Sequence, residues 1–374
     1  MSANPLIAMF EGNGAELQAY DQIQIVSTFG EPEAEYAAIR KAAALVDQPQ
    51  RGFLELKGAD RLSFLNNFFT QQVFDKAKKS GLVAGEGAYG FVLKRDGRIL
   101  ADANVIERGE STLLEIDGRL ATALKTALDK YIFAEKVTVT DRSESLHQLA
   151  IDGPKSVEVL NASAEMPMPE LKPLGSATIK LFGVEAIVWR DDVPGVPGYH
   201  LVIDPASAKT IWEGLLARSG QSAALGRRDL RPAGWAAFNA TRIENGRPLF
   251  GIDFDDSVLP HETGLTERAV SFTKGCYLGQ EVVARMHARN AFARQLVGIR
   301  MTDDALPIAG AAIYDDKENQ IGGITSSTVS PVLSNAAIAI GFVKKKFVDI
   351  GSVLRIPAEG SMREGKVAGM PFVK

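Results

Sequence analysis

From Arg294 onward the chain breaks into short β-rich runs, Gln295 to Met301, Ala311 to Tyr314, Gln320 to Ser326, Ala337 to Val343 and Ser352 to Ile356, separated by Gly, Pro, Asp and Asn. Five or six short strands with turn residues between them cannot stack as an open sheet without leaving bare edges, so the pattern predicts a small β-barrel over 291–374. The preceding 290 residues mix strands and helices in irregular order, which predicts α+β modules instead of a regular βαβ array.

In that region, Tyr36, Ile39, Ala43 and Val46 recur at three- and four-residue spacings and predict one amphipathic helix over 32–46. A strand is expected from Phe53 to Lys57, then a helix capped by Asp60 with Leu62, Leu65, Phe68 and Phe69 inward. Asp96-Gly97 between apolar runs predicts a hairpin from Phe91 to Ile106, because its turn needs residues that tolerate positive φ. Period two then places Leu100, Asp102, Asn104 and Ile106 on one face, with Asp102 a carboxylate in an otherwise apolar strand. Further strands are expected at 111–117, 137–140, 148–151, 178–182, 184–189 and 199–203, and helices at 120–128, 206–218 and about 234–244. The Pro- and Gly-rich loop Asp191 to Gly198 is expected at the surface.

Of the 374 residues 45% are hydrophobic, enough for substantial cores and for more than one module. Forty-two basic against 46 acidic residues give a net charge of −4, so no broad field attracts phosphate backbones or anionic membranes, and direct nucleic-acid binding is not expected. The Lys344-Lys345-Lys346 run reads as a solvated strand end. No apolar run reaches the ~18 residues that span a bilayer, and no secretory segment follows Met1. A single cysteine cannot make an internal disulfide, and the cytoplasm is the expected compartment.

That cysteine lies in Lys274-Gly275-Cys276-Tyr277-Leu278-Gly279-Gln280-Glu281. The glycines permit a tight turn, and nearby Lys274 and Arg285 would favour the thiolate that attacks electrophiles. Free cysteine is also among the most buried residue types, so by itself Cys276 reads first as buried or structural.

The motif resembles the signature of the YgfZ family, relatives of the folate-binding glycine cleavage T-protein. The resemblance extends in order through Glu35 to Gly58, Ala59 to Val73, Gly87 to Val105, Thr241-Arg242-Ile243-Glu244-Asn245-Gly246, Gly251 to Phe254 and Leu259 to Glu262. It implies a cloverleaf of two interleaved ferredoxin-like α+β modules over 1–290, a C-terminal β-barrel over 291–374, and a cavity for tetrahydrofolate or a one-carbon derivative. It also implies that Asp102 meets the pteridine edge and that Arg242 and Glu244 hold the ligand. A carboxylate can accept hydrogen bonds from pterin N–H groups and an arginine can pair with the folate carboxylates. On the residues alone, Asp102 reads also as an edge-strand polar residue, and Arg242 as a cation answering a helix dipole.

Two departures shape the functional expectation. The superfamily's transferases carry two adjacent acids where this chain has Ala101-Asp102, and a different loop at Pro194 to Tyr199. The expectation is therefore an accessory protein of iron–sulfur cluster assembly or repair, with Cys276 as its functional thiol, iron–sulfur clients or assembly factors as partners and an indirect effect on tRNA modification. Aminomethyl transfer is expected to be absent or slow. A resident cluster is not expected, since clusters need about four ligands and the chain offers one cysteine and the histidines His147, His200, His261 and His287. The alternative is a folate-dependent aminomethyltransferase served by a lipoyl-bearing partner.

Overall fold

The computed structural model describes residues 4–219, 229–289 and 292–373, so the expected boundary at 290/291 lies outside the described residues. The chain divides into two compact units. One comprises residues 1–66, 73–89 and 103–238, the other residues 67–72, 90–102 and 239–374.

The first unit carries a six-stranded sheet in the order Ser176–Leu181, Val184–Arg190, Gly198–Ile203, His147–Asp152, Ala43–Asp47, Leu230–Pro232. All pairings are antiparallel except the last, which is parallel. Helices Ser156–Ser163 and Ala208–Ser219 cover one face, and Leu45, Leu149, Ile151, Leu160, Leu201, Ile211 and Leu215 form the core there. A second sheet includes Thr138–Asp141, Arg51–Lys57 and Ser111–Asp117. Its Phe53, Ile106 and Leu113 pack against Ile187, Trp189 and Val202 of the six-stranded sheet. Strand Ile99–Glu107 comes next in the order and Gly87–Leu93 stands at the edge, and each of these two strands has residues in both units.

The predicted hairpin forms, with Gly97 at φ +81° and Lys94 N donating to Arg98 O at 2.8 Å. The single helix expected over 32–46 is instead a helix Pro32–Lys41 and a strand Ala43–Asp47. Ala42, at φ −139° and ψ −121°, breaks the helix. All five strand residues are buried, so apolar side chains point both ways and spacing alone cannot separate strand from helix. Helix Arg61–Asn66 also ends early, and Phe69 instead bridges to Val92. Asp60 accepts from Lys136 N through its side chain at 2.8 Å. The Asp191 to Gly198 loop is not a simple surface loop: Asp191, Pro194 and Gly198 are buried. Helix Ile7–Gly12 and the hairpin Glu16–Tyr20/Ile23–Thr28 carried no sequence expectation.

In the second unit, six strands close the expected barrel in the order Arg294–Met301, Ala336–Lys344, Gln320–Ser330, Ala312–Tyr314, Val353–Ala358, Ser361–Ala368. Ile299, Ile313, Ile324, Ile338, Leu354 and Ile356 are buried on its strands. Gly322 is required where two strands nearly touch, because a Cβ there would stand 1.9 Å from Phe342 O. Lys344 ends a strand and Lys345–Phe347 form a short turn, as expected for a solvated strand end.

Candidate functional site

The expected site residues Asp102, Arg242, Glu244 and the 274–281 motif all belong to the second unit. Asp102 lies within strand Ile99–Glu107, 9% exposed, between Ala101 and Ala103, which are essentially out of water. A carboxylate in such a place is costly unless it is hydrogen-bonded.

Arg242 occupies the last turn of helix Trp235–Glu244 and is fully buried. Its guanidinium pairs with Asp253, with both side chains wholly out of water. It also donates to Ser326 Oγ at 2.6 Å, Asn239 Oδ1 at 2.9 Å and Arg247 O at 3.3 Å. Asp253 in turn accepts from Leu249 N at 2.9 Å and Thr325 Oγ1 at 2.8 Å. Glu244, also fully buried, accepts from Ser330 Oγ, and its carbonyl accepts from Phe372 N at 2.8 Å. These two residues thus fasten the end of their helix to barrel strand Gln320–Ser330 and the C-terminal segment. Gly246, at φ +61°, follows the helix end.

The cysteine motif is largely a local clamp. Lys274 Nζ donates to the carbonyls of Phe69 and, at 3.0 Å, Gln71, and lies 5.1 Å from the centre of the Tyr277 ring. Tyr277 is 8% exposed, and burial pushes its hydroxyl up to about 12. Leu278 N donates to Asn67 O at 2.8 Å, and Tyr277 N to Gln280 Oε1 at 3.0 Å. Gly279 has φ +82°, and a Cβ on it would stand 2.8 Å from Lys94 O. Glu281 sits in the first turn of helix Gln280–Arg289, where the dipole favours an acid. Gly275 has nothing within 4 Å of its ideal Cβ, and Cys276 is exposed. Beside the motif, Phe272 and His287 stack at 3.7 Å, and His261 lies 5.8 Å from His287. Burial first, and His287 second, hold His261 below the usual histidine range.

Sequence reasoning missed a buried polar layer in the first unit. Arg51 makes a two-armed pair with Glu115, one contact at 2.8 Å, and Asn104 Nδ2 donates to the same carboxylate at 2.9 Å. Gln148 Nε2 donates to Gln48 Oε1 at 2.7 Å and Glu115 Oε1 at 3.1 Å. His200 Nδ1 lies 3.2 Å from Gln48 Oε1, and its ring stacks on Trp189 at 4.2 Å. Burial depresses His200 and keeps its ring neutral. Asn104, two residues beyond Asp102 on the same strand face, was the only signal in the sequence for this layer.

The family model described as the GCVT N-terminal domain matches residues 6–274, and the glycine cleavage T-protein C-terminal barrel domain matches residues 294–374. The aminomethyltransferases of Geobacillus kaustophilus (strain HTA426) and Bacillus subtilis (strain 168) are 26% and 24% identical to this chain over 375 residues, each alignment covering 100% of it and 99% of the relative. The crystal structure of glycine cleavage system aminomethyltransferase T from Bartonella henselae superposes with a TM-score of 0.87 at 22% identity, over 100% of this chain and 98% of that one. That likeness establishes the α+β fold with its closed barrel.

These findings overturn the expectation of an iron–sulfur accessory factor with iron–sulfur client partners. The relatives matching from end to end are named aminomethyltransferases, so the alternative reading is the better supported one. The expectation went astray by weighing the Cys276 motif and the two departures at Ala101-Asp102 and Pro194 to Tyr199 above the agreement of the whole chain with aminomethyltransferases. Among the described residues no helix is long and apolar enough to cross a membrane, and no group of three or more His, Cys, Asp or Glu side chains could hold a metal ion.

Proposed function

The chain belongs to the glycine cleavage T-protein family, and from that premise we propose that it is a tetrahydrofolate-dependent aminomethyltransferase. The observation that carries the proposal is the unbroken similarity to aminomethyltransferases over 100% of this chain and 99% of theirs. Tetrahydrofolate is the cofactor of this family. When bound, it would supply the two nitrogens that take up the methylene, the carbon–sulfur bond to a lipoyl-bearing carrier breaking to leave a thiol and the carbon–nitrogen bond breaking to release ammonia.

The residues present fit such a ligand in type. Asp102, a buried carboxylate on a largely buried strand, accepts a hydrogen bond from an N–H of the reduced pterin and orients it. The adjacent Ala101 carries no second acid, so a single carboxylate performs this task. Arg242 and Glu244 act as positioning residues. Their ion pair and hydrogen bonds are made within the protein, and they fix the helix end from which the surrounding backbone takes its shape. Cys276 takes no part in the transfer.

Asp102→Asn keeps the shape and removes the charge. It is expected to lower kcat by about 100-fold or more, the scale of a lost proton-accepting or electrostatic group, with an unchanged thermal midpoint. Steady-state formation of the methylene folate measures this, and wild-type turnover in the variant would remove Asp102 from the site.

A further inference from the structure

A cleft of about 500 Å³ lies on the barrel of the second unit, walled by strands Arg294–Met301, Ala336–Lys344 and Gln320–Ser330, which are neighbours in the sheet. Arg294 and Lys344 stand directly opposite each other in the register of the first two. Their side chains therefore leave the sheet on one face, and Phe342, two residues from Lys344, shares it. Arg294 is half-buried and Lys344 exposed, so this is the outer face. Two like charges directly opposite each other cost stability unless something answers them. Inside the protein little does. The Arg294 guanidinium lies 4.4 Å from the centre of the Phe342 ring, and its Nε is 3.7 Å from Glu262 Oε1. Both terminal NH2 groups of its fork are thus left without a hydrogen-bond partner among the described residues. Lys344 Nζ donates to Gln320 O at 3.0 Å, which uses one of its three N–H bonds.

Gly323 keeps the floor of the cleft open. It pairs with Phe342, which puts its missing side chain on the same face as the two cations. Its φ is not positive, and a Cβ there would meet nothing nearer than Ala311 O, at 3.7 Å. Neither backbone conformation nor packing demands a glycine at this position, in contrast to Gly322. What its absence of a side chain provides is room.

We propose that this cleft binds the carboxylate of a small organic acid, with the Arg294 fork and the Lys344 ammonium on the carboxylate and the apolar part of the acid over the Gly322-Gly323 backbone beside Phe342. The planar fork of an arginine fits a carboxylate with two parallel hydrogen bonds. Glu262 offsets part of the Arg294 charge, and the positive charge that remains matches one negative charge better than the two of a phosphate. Arg242 offers no such site, because it is wholly buried and paired with Asp253. The inference concerns the second unit alone and does not rest on the transfer reaction.

Benzoate is the probe, titrated at low salt into the full-length chain while the amide resonances of Gly322, Gly323 and Phe342 are followed by NMR. The wild type should bind it with a Kd of about 1 to 10 mM, and benzamide, the same shape without the charge, at least about tenfold more weakly. Arg294→Gln should weaken benzoate by about tenfold. Gly323→Leu keeps both cations and fills the floor, so it should abolish the shifts with a thermal midpoint near that of the wild type. Displacement of benzoate by p-aminobenzoylglutamate assigns the natural acid to the glutamyl end of a folate, and failure to displace it assigns a separate small acid. Absence of shifts at about 50 mM benzoate, equal binding of benzamide, tighter binding of inorganic phosphate, or undiminished binding by Arg294→Gln overturns the proposal.

Discussion

The pair Arg242–Asp253 has both charges out of water, so removing one partner strands the other. Asp253→Asn is expected to cost about 3 to 5 kcal/mol in urea unfolding, the usual price of an uncompensated buried charge. A cost under about 1 kcal/mol would mean that Arg242 finds other partners. Cys276 lies at the opposite extreme. Exposed beside a glycine with open space, it should react with iodoacetamide in the folded protein, and Cys276→Ser should leave both stability and methylene transfer unchanged, within about 0.5 kcal/mol for an exposed site. Lys274→Ala, by contrast, frees the carbonyls of Phe69 and Gln71 and is expected to cost about 1 to 3 kcal/mol. His200 adds a pH dependence. Its folded pKa lies below the ~6.5 of the unfolded chain, so its contribution is complete above that value and is lost as pH falls through it. The urea midpoint of the wild type should therefore drop more steeply below about pH 6.5 than that of His200→Gln. The place of Asp102 within a buried strand was legible in the sequence because one carboxylate interrupted a period-two apolar strand. The setting of Arg242 was not, since Asp253 and Ser326 come from other segments and nothing in a local pattern announces them.

Among the elements, those with a chemical cause inside their own few residues were the ones read from sequence. Asp96-Gly97 made the hairpin because its turn needs positive φ, and alternation separated by turn residues gave the barrel strands. Strand Ala43–Asp47 was read as helix because it is buried on both faces, and the periodicity of two such faces resembles a helical stripe. The turn 191–198 was read as surface because its composition says loop, whereas backbone donors from Gly153 and the Arg40 side chain hold it in place. Gly279 tests the clamp at element scale. With φ +82° and a Cβ that would press on Lys94 O, Gly279→Ala should cost more than the ~1 kcal/mol of a helix-interior glycine exchange, by thermal or urea unfolding. A neutral outcome would mean that the 274–281 segment moves freely against residues 94–97.

For the molecule as a whole, the break in texture near Arg294 separated barrel from α+β region, and two family models meet the chain on either side of that break. Net charge removed nucleic acid from the expected partners but could not rank two functions built on one fold. That ranking came from agreement along the whole chain with aminomethyltransferases, against a reading built on the Cys276 motif and two local departures. The most direct test of the central claim is to follow an isotopically labelled methylene from an aminomethylated lipoyl carrier in the presence of the wild-type protein. The account predicts label in tetrahydrofolate and an equal amount of ammonia, both dependent on the folate and both retained by Cys276→Ser. Label that stays on the carrier while the protein binds tetrahydrofolate would contradict it.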